Sequence, residues 1–131
     1  MAIKIVLNTN ILVSSFIHDD GKPKKIVDFV FDGKFLLCYN EVILDEYKDV
    51  LSRKRFNFTR SEIGTVINMI RQIGIIIDPV PSTIDMPDEY DRIFRDTAGT
   101  AKAWLITGNL KHFPEEDFII TANEFCELFR L

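Results

Sequence analysis

The chain has 131 residues, 47% of them hydrophobic, enough to bury one sizeable core and too few for two, so a single domain over residues 1–131 is expected. Its net charge of −4 excludes a protein that holds nucleic acid by bulk electrostatics, so any such contact must be local or made through a metal. No apolar stretch reaches the roughly 20 residues of a membrane span and the N-terminus lacks a secretory pattern, which predicts a cytoplasmic protein with no membrane contact.

The first apolar run, Ile3 to Leu7, is β-branched and aliphatic without alternation, the pattern of a strand covered on both faces. Asn8 or Thr9 then stands where a short polar side chain caps the helix continued by Ile11, Leu12 and Phe16. Pro23 to Phe31 reads as a helix closed by Gly33, and Phe35 to Tyr39 as a buried strand. Asn40 caps a helix whose apolar positions Ile43, Leu44, Tyr47, Val50 and Leu51 recur at three- and four-residue spacing. Thr59 with Glu62 forms a capping box before a helix ending near Ile73, and Gly74 to Ile77 reads as a strand. After a proline-rich loop, Pro87 to Lys102 is helical, with Asp88 and Glu89 in the first turn where the helix dipole favours acids. The strand Trp104 to Thr107, a loop through Pro114, the strand Phe118 to Ile120 and a helix capped by Thr121 with Glu124 complete the chain. Cys38 and Cys126, each among apolar neighbours, read as buried free thiols. Strands that alternate with helices and are apolar throughout imply an α/β protein with a mainly parallel sheet and helices on both faces.

In such a sheet, ligands bind beyond the carboxyl ends of the strands. Two ends are polar: Asn8-Thr9-Asn10 and Thr107-Gly108-Asn109. Helices at the same edge bring Glu46, with Asp45 and Asp49 nearby, and Asp91, with Asp88. Taken singly, these acids read as solvated surface, Asp88 with Arg92 and Asp91 with Arg95 standing at ion-pair spacing. Taken together they share one edge, where two carboxylates about 4 Å apart repel by about 4 kcal/mol at an effective dielectric near 20 and therefore favour a cation. Oxygen donors suit a hard ion such as Mg²⁺. Arg53, Lys54 and Arg55 read as complementing a helix C-terminus. Lys22, Lys24, Lys25, Lys111 and His112 read as charged surface, and His18 and His112 show no metal-ligand spacing. No Ser-His-Asp arrangement, phosphate-binding glycine loop or GxGxxG motif is present.

The segment IVLNTNILVSSF resembles the opening of PIN-domain proteins, in which an aspartate followed by Thr-Asn ends the first strand. VILDEYKDVLSRKRF resembles the segment carrying the family's glutamate, here Glu46; DRIFRDTA and WLITGNLKHFP resemble those carrying the third acid, Asp91, and the fourth position, Asn109. The resemblance, strongest to toxin components of prokaryotic toxin-antitoxin pairs, implies a three-layer α/β/α fold and a Mg²⁺- or Mn²⁺-dependent endoribonuclease acting on single-stranded RNA. It also implies a homodimer and a cognate antitoxin. Asn8, Glu46, Asp91 and Asn109 would be the catalytic set, Glu46 and Asp91 the metal ligands, and Thr9, Asn10 and Thr107 the residues that orient them. Asn8 and Asn109 depart from the four-acid pattern: an amide keeps the shape and one oxygen but removes the charge. A PIN domain that binds RNA or a protein without cutting, and a small-anion-binding domain of another family, are the alternatives.

Overall fold

In the computed structural model, which describes residues 2–131, Ile3–Leu7 forms strand β1 with its last three residues fully buried. It is followed by helices α1 (Thr9–Ile17) and α2 (Lys22–Phe31), then β2 (Phe35–Tyr39), α3 (Glu41–Leu51), α4 (Arg60–Ile73) and β3 (Ile75–Ile76). The second half holds α5 (Arg92–Ala101), β4 (Trp104–Ile106), β5 (Ile119–Ile120) and α6 (Ala122–Phe129). All strand pairings are parallel and the order is β3-β2-β1-β4-β5, an α/β/α sandwich with β1 at its centre. The chain builds outward from β1 to β3 on one side, then crosses back to place β4 on the other. The gap between β1 and β4 is therefore the topological switch point, where an open parallel sheet leaves a crevice for a ligand.

Local signals account for most element ends. Asn40 accepts a bond from the Ile43 amide at the start of α3, and the Thr59/Glu62 and Thr121/Glu124 capping boxes both form. Gly33, at φ 84°, closes α2 in a conformation that favours glycine. The three shorter strands begin or end inside their predicted spans, with β3 reduced from four residues to two. Helix α5 begins at Arg92 rather than near Pro87: Asp88 accepts from the Tyr90 amide and starts a single 3₁₀ turn, Glu89–Asp91, that leads into the helix.

Two aromatic groups fill the core. Phe35 packs edge-on against Phe29 of α2 and Phe125 of α6, with Phe129 and Trp104 extending the cluster. Tyr47 of α3 packs on Phe94 of α5, and both rings are fully buried. Cys38 and Cys126 are free and buried; burial pushes the Cys38 thiol up to about 11, which leaves it inert at neutral pH. Among the described residues, no helix is long and apolar enough to cross a membrane.

Candidate metal centre

The ends of β1 and β4 are stitched together by side chains. The Asn8 amide extends the ladder by donating to the Ile106 carbonyl at 3.0 Å. Just beyond, the buried Thr107 hydroxyl donates to Asn8 Oδ1 at 2.9 Å and accepts from the Asn109 amide at 3.0 Å, while Asn10 Oδ1 accepts from the Gly108 amide at 3.1 Å. The Asn8 side chain thus bonds across the switch point and does not cap α1, although Asn8 holds the N-cap position as predicted. Thr9 does not cap α1 either. As the first residue of α1, it turns its hydroxyl to donate to Glu46 Oε2.

Helix α3 is fixed at both sides of Glu46. Its cap, Asn40, donates to Thr97 Oγ1 of α5 at 2.9 Å, and the Tyr47 hydroxyl donates to the Leu7 carbonyl at the end of β1 at 2.5 Å. A neighbour of Glu46 in the sequence is therefore anchored beside Asn8, and the cap of its helix is tied to the helix that follows Asp91. Those two bonds bring together acids that lie 45 positions apart in the sequence. Asn8, Thr9, Asn10, Glu46 and Asp91 line one open cleft of ≈ 500 Å³.

Both carboxyls bind protons more tightly than usual. Burial is the largest cause of the upward shift at Glu46; the charge of Asp91 adds to it, while the Thr9 hydroxyl and Arg53 act against it. Burial also leads at Asp91, reinforced by Asp88 and opposed by His112 and the Asn8 amide. Glu46 has no ion-pair partner among the described residues, and Asp91 has only His112. Two desolvated carboxylates that repel each other and have so little cationic compensation form an oxygen donor set suited to a hard divalent cation.

One residue of the centre, His112, was missed in the sequence. His112 Nδ1 lies 2.9 Å from Asp91 Oδ2 and 3.6 Å from Asp88 Oδ2, and its other nitrogen lies 2.8 Å from Asn109 Nδ2. Asp88, Asp91 and His112 can each offer a ligand atom within 4.8 Å of the others, so the reading of His112 as plain surface is corrected. The three-residue step from Asn109 to His112 was the available signal, because the intervening 3₁₀ turn, Leu110–His112, folds one back toward the other. Asn109 consequently acts at the cleft through His112 and lies outside its wall. The surface ion pairs expected at Asp88–Arg92 and Asp91–Arg95 do not form: Arg92 pairs with Glu89, and Arg95 with Glu116 and Asp96. Arg53 and Arg55 also line the cleft, past the end of α3, whose own last-turn basic residue is Lys48. Arg53 also reaches Asp49 in the last turn of α3 at 3.7 Å, so the basic run both follows that helix end, as read from the sequence, and faces the cleft.

A family profile described as the PIN domain matches residues 4–111, which contain β4, all of β1 but Ile3, and Glu46, Asp88 and Asp91. The chain belongs to the PIN-domain family. It is also 32% identical over 110 residues to an uncharacterized protein of Methanocaldococcus jannaschii, covering 82% of this chain and 71% of that one. No solved structure matches it. Membership places the chain in a nuclease-type family that typically uses divalent metals, in agreement with the possible metal site at Asp88, Asp91 and His112.

Proposed function

We propose that this PIN domain is a metal-dependent endoribonuclease that cuts single-stranded RNA, serving as the toxin of a toxin-antitoxin pair. The observation that carries the reading is the convergence of Glu46 and Asp91, from separate helices, on one cleft with no ion pair to a lysine or arginine among the described residues. Bound there, Mg²⁺ or Mn²⁺ would lower the pKa of an attacking water and neutralise charge developing on the phosphate. The chain's own residues orient and hold. Thr9 fixes the rotamer of Glu46 through its hydroxyl, His112 and the Asn8 amide hold the Asp91 carboxylate, and Thr107 fixes Asn8 from behind. A homodimer and an antitoxin that covers the cleft belong to the same reading.

Asn8 weakens the centre in a definite way. Its oxygen already accepts from Thr107 and its amide supports Asp91, so it contributes no charge where an aspartate would. This observation favours, as a second reading, a PIN domain that binds RNA or a partner without cutting. Manganese-dependent cleavage of a labelled single-stranded RNA, run with the natural chain, with Asn8→Asp and with a chelator, separates the two. Chelator-sensitive cutting is expected, about tenfold or more faster in Asn8→Asp. Intact RNA in every arm would overturn the nuclease reading in favour of the second.

A further inference from the structure

Three further side chains of the cleft make no hydrogen bond or ion pair to Glu46 or Asp91. Arg53, Arg55 and Phe56 line the same cavity as Glu46 and Asp91. A 3₁₀ turn over Lys54–Phe56 presents them, stopped by Asn57 at φ 58°, a left-handed position that asparagine tolerates. The Arg55 guanidinium lies over the Phe56 ring, 4.7 Å from its centroid. Phe56 in turn stacks on Phe58 at 6.2 Å and 26°, and Phe58 meets Phe16 of α1 edge-on at 6.4 Å. The stack is therefore rooted in the body of the protein, so little side-chain freedom remains to be lost on binding.

We propose that Arg53, Arg55 and Phe56 are the platform that positions the RNA strand: the outer face of the Arg55 guanidinium, backed by the Phe56 ring, stacks one unpaired base, and the two arginines hold its neighbouring phosphates in the cleft that the carboxylates line. The proposal rests on the nuclease reading above and adds the residues that select a single strand. Their charges are free to act: Arg55 forms no ion pair among the described residues, and Arg53 has only a long, half-exposed contact of 3.7 Å to Asp49. In a chain of net charge −4, two such cations on the cleft give a polyanion a local point of attraction there. An unpaired base offers an open π-face to the guanidinium plane of Arg55, whereas the faces of bases inside a duplex are already stacked. Selection of single strands follows from the platform, and the cutting chemistry from the acids.

Lys54 supplies an internal control, since it carries the same charge in the same turn but does not line the cleft. The test is fluorescence anisotropy of a labelled mixed-sequence RNA 12-mer, single-stranded or annealed to its complement, titrated with the full chain in chelator over a range of salt concentrations. Arg53→Ala and Arg55→Ala should each lower the slope of log affinity against log salt by about 0.7, with Lys54→Ala leaving it unchanged. Phe56→Leu should weaken single-strand binding about tenfold or more without changing the slope, and Arg55→Lys should restore the slope but not the full affinity. Thermal unfolding of each variant confirms that it is folded. Equal effects at Lys54 and Arg55, unchanged binding by Phe56→Leu, or wild-type preference for the duplex would overturn the platform. A wild type that cuts in manganese but binds no single strand in chelator would overturn the platform alone. One that neither binds nor cuts would overturn the nuclease reading as well.

Discussion

Asp91 and Asp96 flank the first turn and a half of α5, yet they occupy opposite electrostatic situations. Asp96 is 3% exposed and fully engaged: it accepts from the Ser82 amide at 3.0 Å and hydroxyl at 2.6 Å, and pairs with Arg95 at 3.3 Å. Arg95 also grips Glu116 through two bonds of 2.8 Å, and Arg92 donates to the carbonyls of Ser82 and Ile84. Together these contacts clamp the proline-rich loop to the body of the domain. Asp91, with a side chain 13% exposed, is desolvated without a comparable set of donors, and its proton affinity rises. An acid whose bonds are all made within the protein builds structure. One left short of donors in a cleft is kept for something that arrives from outside.

The contrast can be broken from either side. The largest expected effect is on metal binding: Asp91→Asn should lower Mn²⁺ affinity, read by calorimetry, beyond the about 10- to 100-fold typical of lost outer-shell partners, with the melting temperature nearly unchanged. Asp96→Ala should show the reverse pattern. It leaves Arg95 and Ser82 without their acceptor and should cost about 3 kcal/mol, roughly 10 °C in melting temperature, with Mn²⁺ affinity per folded molecule preserved. A variant that moved both readouts equally would erase the distinction between the two acids.

The smallest effect concerns pH. Glu46 and Asp91 hold protons more tightly in the folded chain than in the unfolded one, so the folded state binds more protons between the ordinary carboxylate range, about pH 4, and their raised values. Their contribution to stability is therefore greatest below that window, declines as pH rises through it, and stays reduced above it. In chelator, melting curves of wild type and of Glu46→Gln/Asp91→Asn should converge at low pH, with the wild type falling behind as pH rises. Added Mn²⁺ should close the gap for the wild type alone. Parallel curves at every pH would show that the two acids are not destabilised by the fold.

What the sequence revealed of this arrangement follows from the range of the forces involved. Asn40, Thr59 with Glu62, and Thr121 with Glu124 act within three residues of themselves, and their caps are readable from local order alone. The acids at the sheet edge could be placed because strand ends and helix starts of a parallel sheet share that edge. Asn8 shows where such reasoning stops: its position as N-cap is local, but its side-chain partner, Thr107, is 99 residues away. His112 was passed over because nothing near it in the chain marks Asp91 as its neighbour, and Asp96 drew no notice because its clamp depends on a loop with no regular pattern. Arg53 and Arg55 were assigned to the nearest helix end, the local choice, and their second place, on the cleft, depends on elements distant in the chain.

The Asn8–Thr107 bond also bears on the order in which the protein is made. The strand at the middle of the sheet leaves the ribosome before the other four, and its β4 neighbour cannot join it until β2, β3 and the helices between them have been translated. Contacts of such long sequence separation form late and slowly. A nascent chain that stops short of Thr107 has neither the floor beneath Asn8 nor the histidine beside Asp91, so the cleft is completed only after β4 and the turn that follows it have emerged.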